Sequence, residues 1–119
     1  MNIKTYQDLV VWQKARILAK AVYEHTASFP ADERFTLTSQ MRRASIGVVS
    51  NIAEDYGRGS QQDYLRFLRV ARGSLYELES QCIIAADLGY TAETAVTTMF
   101  RFIDDVARPL SGLVRSLEA

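Results

Sequence analysis

Residues 96–117 read VTTMFRFIDDVARPLSGLVRSL, and the apolar side chains of this stretch return after alternating steps of three and four residues. That spacing places them along one face of an α-helix, in a seam like that of a coiled coil. The stretch therefore predicts a helix over residues 92–117, with Thr91 capping its first turn. The seam consists of Val96, Met99, Ile103, Val106, Leu110, Leu113 and Leu117.

Three earlier segments show the same helical spacing, over residues 6–28, 37–56 and 61–88. Ser60 and Asp63 predict a capped start for the third of them, and Gly89 predicts a left-handed stop at its end. Short connections make neighbouring helices antiparallel. The predicted fold is all-α, an up-down-up-down four-helix bundle in one domain spanning residues 1–119. The first two helices carry more apolar surface than one core needs, which predicts a homo-oligomer.

The composition of the chain excludes some classes of protein. The chain has 119 residues, 14 basic and 14 acidic side chains, and a single cysteine. One cysteine cannot form an intramolecular disulfide, so a disulfide-built secreted scaffold is excluded and a cytoplasmic location is favoured. The sequence shows neither a long apolar run nor the apolar centre of a signal peptide, so we expect no membrane association.

Catalytic and metal-binding patterns are missing from the sequence. A di-iron bundle needs more than one histidine, and His25 is the only one in the chain. We expect His25 to cap the end of the first helix, and Cys82 to be a small buried residue in the seam of the third. The acidic pairs Glu54-Asp55 and Asp104-Asp105 point to different helix faces and make no acid–base dyad. The sequence therefore predicts a protein that is not an enzyme and has no cofactor.

Charge is unevenly distributed, although the net charge is zero. Residues 42–72 hold six arginines against three carboxylates, whereas residues 73–105 hold six carboxylates against one arginine. Arginines can bind phosphates, and an exposed tyrosine can stack on an unpaired base. The alternative is that the arginines are solvated or pair with carboxylates within or between subunits. The candidate nucleic-acid-binding residues are Arg42, Arg43, Arg58, Arg66, Arg69, Arg72 and Tyr76.

Several segments taken in order resemble one family. They are LVVWQKA at residues 9–15, LTSQMRRA at 37–44, SNIAEDYGRGS at 50–60, FL at 67–68, GSLYELE at 73–79 and LGY at 88–90. Together they are similar to the four-helix-bundle proteins encoded in 23S ribosomal RNA intervening sequences. The chain departs from the usual family pattern at Asp55, where glycine is common, and at Val49, where proline is frequent.

The resemblance implies a bundle that assembles into a homopentamer and has no established enzymatic activity. A similar bundle is the accessory protein of diversity-generating retroelements, a basic pentamer that works with a reverse transcriptase and nucleic acid. The predicted function is accordingly a self-assembling bundle that acts as an adaptor or binds RNA or DNA through its arginines. The alternative is a structural or protein-interaction ring without a nucleic-acid ligand.

Overall fold

Four α-helices form the molecule in a computed structural model that describes residues 3–119. They are α1 (Val10–Thr26), α2 (Leu37–Ala53), α3 (Gln61–Asp87) and α4 (Glu93–Glu118). Short 3-10 turns precede α1 at Tyr6–Asp8 and α2 at Ala31–Glu33, and these 117 residues contain no β-strand. The all-α prediction is confirmed.

Side-chain contacts show how the helices run. Arg42 near the start of α2 reaches Thr26 at the end of α1, and Tyr64 near the start of α3 reaches Ile52 at the end of α2. Each helix packs against its neighbours in the chain, and α4 closes the ring by packing against α1. The arrangement is an antiparallel four-helix bundle about 43 Å long.

The predicted seams form the core. In α3 all the apolar residues predicted to share one helix face are buried: Tyr64, Leu68, Ala71, Leu75, Leu78, Cys82 and Ala85. In α4 the seam is buried from Met99 to Leu110, whereas Val96 before this stretch and Leu113 and Leu117 after it are only half-buried, and Val114 is buried in their place at the far end. A strict seven-residue repeat drifts around a straight helix of 3.6 residues per turn, so the core-facing position moves by one residue after three turns.

The first and last helices begin later than predicted. Thr5 and Asp8 form a capping box around the 3-10 turn at Tyr6–Asp8, and the extended backbone of Leu9 separates that turn from α1. Helix α1 therefore begins at Val10 instead of residue 6, and it ends at Thr26 instead of residue 28. Helix α4 begins at Glu93 behind an extended Ala92, so the prediction that Thr91 caps it is wrong.

Helix α2 also ends earlier than predicted, at Ala53 instead of residue 56, because Glu54 is extended and Asp55 adopts a φ of 61°. Gly57 follows with a φ of 72°. Two left-handed residues so close together are incompatible with a helix. The predicted cap of α3 is confirmed, since the Ser60 hydroxyl accepts a hydrogen bond from the Asp63 amide at 3.1 Å.

A candidate nucleic-acid interface at one end of the bundle

The two ends of the bundle differ in how the helices are joined. At one end, residues 27–36 join α1 to α2 and residues 88–92 join α3 to α4; we call this the two-connection end. At the other, residues 54–60 join α2 to α3, next to the start of α1 and the end of α4; we call this the single-turn end. The predicted arginines divide between these ends.

Arg42 is held in place at the two-connection end. Its Nε donates to the Thr26 hydroxyl at 2.9 Å, and its guanidinium lies 4.7 Å from the centre of the Tyr23 ring. The buried Thr26 hydroxyl in turn donates to the Val22 carbonyl at 2.9 Å. A cation beside the carbonyls at the end of α1 is favourable. The Arg42 side chain is therefore ordered before any ligand arrives.

Arg34, Phe35 and Arg43 lie around the same position and are exposed. The Phe35 ring is 82% exposed, and the Arg34 guanidinium lies 4.9 Å from its centre. Within residues 3–119, no carboxylate comes within 4 Å of the guanidinium nitrogens of Arg34 or Arg43, and Arg42 likewise has no ion pair there. These side chains make a basic surface with free donors, and we call it the arginine–aromatic surface: Tyr23, Arg34, Phe35, Arg42 and Arg43.

Hydrogen bonds to the Glu33 side chain fix the connection that carries Arg34 and Phe35, and we call this group of bonds the latch. The Glu33 carboxylate accepts hydrogen bonds from the Thr36 hydroxyl, from the Leu37 amide at 3.3 Å and from the Tyr90 hydroxyl at 2.6 Å. These bonds, that from Thr36 first, lower the pKa of Glu33, and the bond to Glu33 raises the pKa of Tyr90. The carboxylate therefore stays ionised and is occupied within the latch.

Aromatic packing on the core side of the connection holds Tyr90, the last residue of the latch, against Phe29. Phe29 is 8% exposed and lies between two rings, 5.5 Å from that of His25 and 5.8 Å from that of Tyr90. The residue before a proline resists the helical region, which ends the chain's helical path before Pro30. Phe29 thus anchors the connection in the core, while Phe35 six residues later faces solvent.

The arginines at the single-turn end are paired. Arg58 lies 3.7 Å from Glu54 and Arg66 lies 3.9 Å from Asp63, both pairs within one helical turn of sequence. Arg69 on α3 makes the closest of these contacts, 2.7 Å to the Glu118 carboxylate of α4. Pairing leaves these arginines less free to bind phosphates than those at the two-connection end.

Arg72 and Tyr76 lie further along α3, Arg72 three residues after Arg69 and Tyr76 four residues after Arg72. Arg72 is half-buried and has no ion pair among residues 3–119, and Tyr76 is 63% exposed. The seven predicted residues therefore do not form one continuous basic surface. Arg42 and Arg43 belong to the arginine–aromatic surface, and the α3 residues remain a separate predicted contact.

The Cys82 thiol and the His25 ring are both shielded from solvent, which disfavours their charged forms. Burial raises the pKa of the Cys82 thiol to about 11, as expected for a residue inside the seam. His25 lies in the last turn of α1, but its Nε2 is buried and has no hydrogen-bond partner, and desolvation lowers its pKa. The capping bond predicted for His25 is not formed, because its ring packs on Phe29 instead.

Residues 3–119 contain neither a cluster of metal-binding side chains nor a helix that could span a membrane. Their His, Cys, Asp and Glu side chains include no group of three or more placed to hold a metal ion. None of the helices in this range combines the length and the apolar character that crossing a membrane requires.

Sequence reasoning missed Tyr23, Arg34 and Phe35. Tyr23 lies outside the main apolar stripe of the first helix, and Arg34 and Phe35 lie between two helices, where no periodicity applies. A large aromatic residue next to an arginine in a connection was the available signal, because a loop offers little core for such a ring to fill.

No curated protein matches the chain, but a family model does. The family model described as "23S rRNA-intervening sequence protein" matches residues 7–112. This range takes in all of α1, α2 and α3, the arginine–aromatic surface and most of α4. That description names no catalytic activity. The chain therefore belongs to the 23S rRNA-intervening sequence protein family.

Proposed function

We propose that this protein is a non-enzymatic, cytoplasmic RNA-binding bundle that contacts single-stranded RNA through the arginine–aromatic surface. The observation that carries the proposal is the grouping of Arg34, Arg42 and Arg43, none of them in an ion pair within residues 3–119, around the exposed ring of Phe35. The candidate residues on α3, among them Arg72 and Tyr76, lie outside this surface and are not required for the proposed contact.

The chemistry of the surface suits an unpaired strand. Guanidinium groups donate to phosphate oxygens in pairs, and an exposed aromatic ring stacks on a base regardless of its sequence. A base in a duplex already stacks on its neighbours, so Phe35 favours single strands, loops and ends. The family description refers to ribosomal RNA, which supports RNA as the first ligand to test.

The test compares two exposed aromatic residues. Purified protein is titrated with a labelled single-stranded RNA at low and physiological salt, alongside the variants Phe35→Ala and Tyr76→Ala. Base stacking contributes about 1–3 kcal/mol, so Phe35→Ala should weaken binding by about fivefold to a hundredfold. Affinity of the unmodified protein should fall steeply with salt.

Tyr76→Ala is the matched control, because Tyr76 is also largely exposed but lies on α3 away from the two-connection end. We expect that variant to bind like the unmodified protein. Absence of RNA binding at either salt concentration would refute the proposal. Equal losses in the two variants would refute the placement of the base at Phe35.

Self-assembly is a second candidate role, and exposed apolar side chains support it. Val10 and Ile17 lie seven residues apart on the outer face of α1, and Val70 and Ile84 lie fourteen apart on that of α3; each is nearly half-exposed. Such residues favour association between copies of the chain. The proposed assembly is a homopentamer, as the family resemblance implies.

Light scattering tests this second role. We expect Ile17→Lys or Ile84→Lys to lower the assembled mass, because a buried charge in an apolar contact is unfavourable. Lys20→Ala, an exposed change one turn from Ile17, is the control and should leave the mass unchanged. A monomeric unmodified protein at micromolar concentration would exclude the ring.

A further inference from the structure

A second cleft adjoins the arginine–aromatic surface. It lies between the end of α1, the connection at Pro30 and the first turns of α2, and it has a volume of about 280 Å³. Arg34 and Arg42 belong to the arginine–aromatic surface and also line this cleft, and Thr38 lines the cleft and borders that surface. A ligand group in the cleft would therefore lie directly beside a base stacked on Phe35.

Thr38 presents a polar group that the fold leaves without a partner. The residue is 6% exposed, and within residues 3–119 its hydroxyl makes no hydrogen bond. Thr38 contrasts with Thr26, which is also buried but whose hydroxyl is engaged between Arg42 and Val22. The Thr38 hydroxyl is therefore free to bond a group placed in the cleft that Thr38 lines.

The other polar groups of the cleft are donors. Arg42 uses Nε and Nη2 to contact Thr26 and Tyr23, which leaves the Nη1 hydrogens free. Arg34 contacts only the Phe35 ring face and keeps its donors. Two guanidinium groups and a hydroxyl, with no carboxylate paired to them, favour an anion with several oxygens.

The start of α2 adds to the same preference. Its N-cap residue, Thr36, makes no side-chain capping bond, and the Glu33 carboxylate caps only the amide of Leu37. The Thr38 and Ser39 amides have no acceptor in the described chain. Free amides at the start of a 17-residue helix favour negative charge.

We infer that this cleft binds a phosphate monoester, supplied either by the terminal phosphate of an RNA strand or by a free nucleotide. A monoester carries about −1.5 to −2 charges at pH 7 and three free oxygens, whereas an internal phosphodiester carries one charge and two. Two arginines and the Thr38 hydroxyl match the monoester better. The inference rests on the proposed function where the source is RNA, and stands apart from it where the source is a nucleotide.

The experiment uses one RNA sequence in three forms: 5′-phosphorylated, 3′-phosphorylated and unphosphorylated. We expect one phosphorylated form to bind about tenfold more tightly than the unphosphorylated form. Thr38→Val keeps the branched shape but removes the hydroxyl, and should abolish most of that preference while lowering the affinity for unphosphorylated RNA much less. Ser39→Ala is the control, since Ser39 lines the arginine–aromatic surface but not the cleft.

A second measurement separates failure of the inference from failure of the proposed function. Inorganic phosphate and a nucleoside monophosphate are added separately, and the unfolding temperature is followed. Both should raise it for the unmodified protein and less for Thr38→Val. Stabilisation without RNA binding would refute the proposed function but support the cleft, with a free nucleotide as source. No preference among the RNAs and no stabilisation by either probe would overturn the inference.

Discussion

The two ends of the bundle use the same side chain, arginine, in opposite ways. At the single-turn end, Arg58, Arg66 and Arg69 each have a carboxylate nearby, two of them within one helical turn of sequence. At the two-connection end, Arg34, Arg42 and Arg43 form no ion pair within residues 3–119, and the carboxylate of Glu33 is occupied by the latch to Tyr90. An arginine count along the sequence cannot distinguish these cases, because pairing depends on which carboxylates the fold brings near.

The ends also differ in what holds them. Buried rings and a polar latch hold the two-connection end, whereas the single-turn end depends on a turn with two left-handed residues, Asp55 and Gly57. The first arrangement gives a rigid platform for Arg34 and Phe35. The second joins two helices at some cost in backbone strain.

The largest expected effect comes from removing the aromatic anchor of the two-connection end. Phe29→Ala should lower the free energy of unfolding by about 3 kcal/mol, because a buried ring is replaced by a cavity next to His25 and Tyr90. Chemical denaturation measures the loss. Phe35→Ala is the matched control and should change stability little, since its ring is exposed. Similar losses for both would contradict the division between anchor and ligand contact.

A pH dependence sharpens the same comparison. The chain's only histidine, His25, has a pKa below 6.5 in the folded protein because burial favours the neutral ring. The unfolded chain therefore takes up a proton first as the pH falls. The stability that this residue contributes is complete above pH 6.5 and is lost as the pH falls through the folded pKa.

Unfolding followed from pH 7.5 to 5 measures this loss. His25→Gln removes the titrating group and should flatten the slope in that window, whatever its effect on stability at pH 7.5. The latch responds elsewhere: the pKa of Glu33 lies below its ordinary value of 4.5, so its contribution is lost only below that pH. An unchanged slope in the variant would show that protonation of His25 does not oppose folding.

The smallest effect is expected at the single-turn end. Asp55→Gly should raise the free energy of unfolding by about 0.5–1 kcal/mol, because glycine adopts the φ of 61° without steric cost and Asp55 makes no hydrogen bond through its side chain in the described chain. Gly57→Ala, at a φ of 72°, should change stability in the opposite direction. A loss of stability in Asp55→Gly would mean that the turn is not strained there.

Most of the fold was predictable because the spacing of the apolar residues indicates which face of each helix is buried. The seam of α3 was predicted residue by residue, and that of α4 was correct from Met99 to Leu110 but not at the half-buried Val96 or beyond Leu110, where the helical drift moved Val114 into the core. Helix ends were less predictable. Tyr56 continues the helical spacing of Val49 and Ala53, so the pattern gave no sign of the left-handed Asp55, although the glycine that the family resemblance implies at that position is consistent with its conformation.

The candidate site was only partly predictable. Arg42 and Arg43 could be chosen from local charge, but their partners could not, because the contact of Arg42 with Thr26 spans sixteen residues. Phe35 followed no helical spacing. The free hydroxyl of Thr38 has no sequence counterpart at all, since its significance comes from burial and the lack of a bonding partner.

The measurement that tests the central claim most directly is the RNA affinity of two double variants over a range of salt concentrations. One carries Arg34→Ala and Arg43→Ala together, and the other carries Arg58→Ala and Arg66→Ala together. Each double variant removes two exposed positive charges, so net charge is held equal. Loss of the unpaired arginines should weaken binding about tenfold or more and lower the salt slope by about 1.4, since each phosphate contact on a single strand contributes about 0.7, whereas loss of the paired arginines should change affinity and slope little. Equal effects, or a larger effect at the single-turn end, would contradict the account.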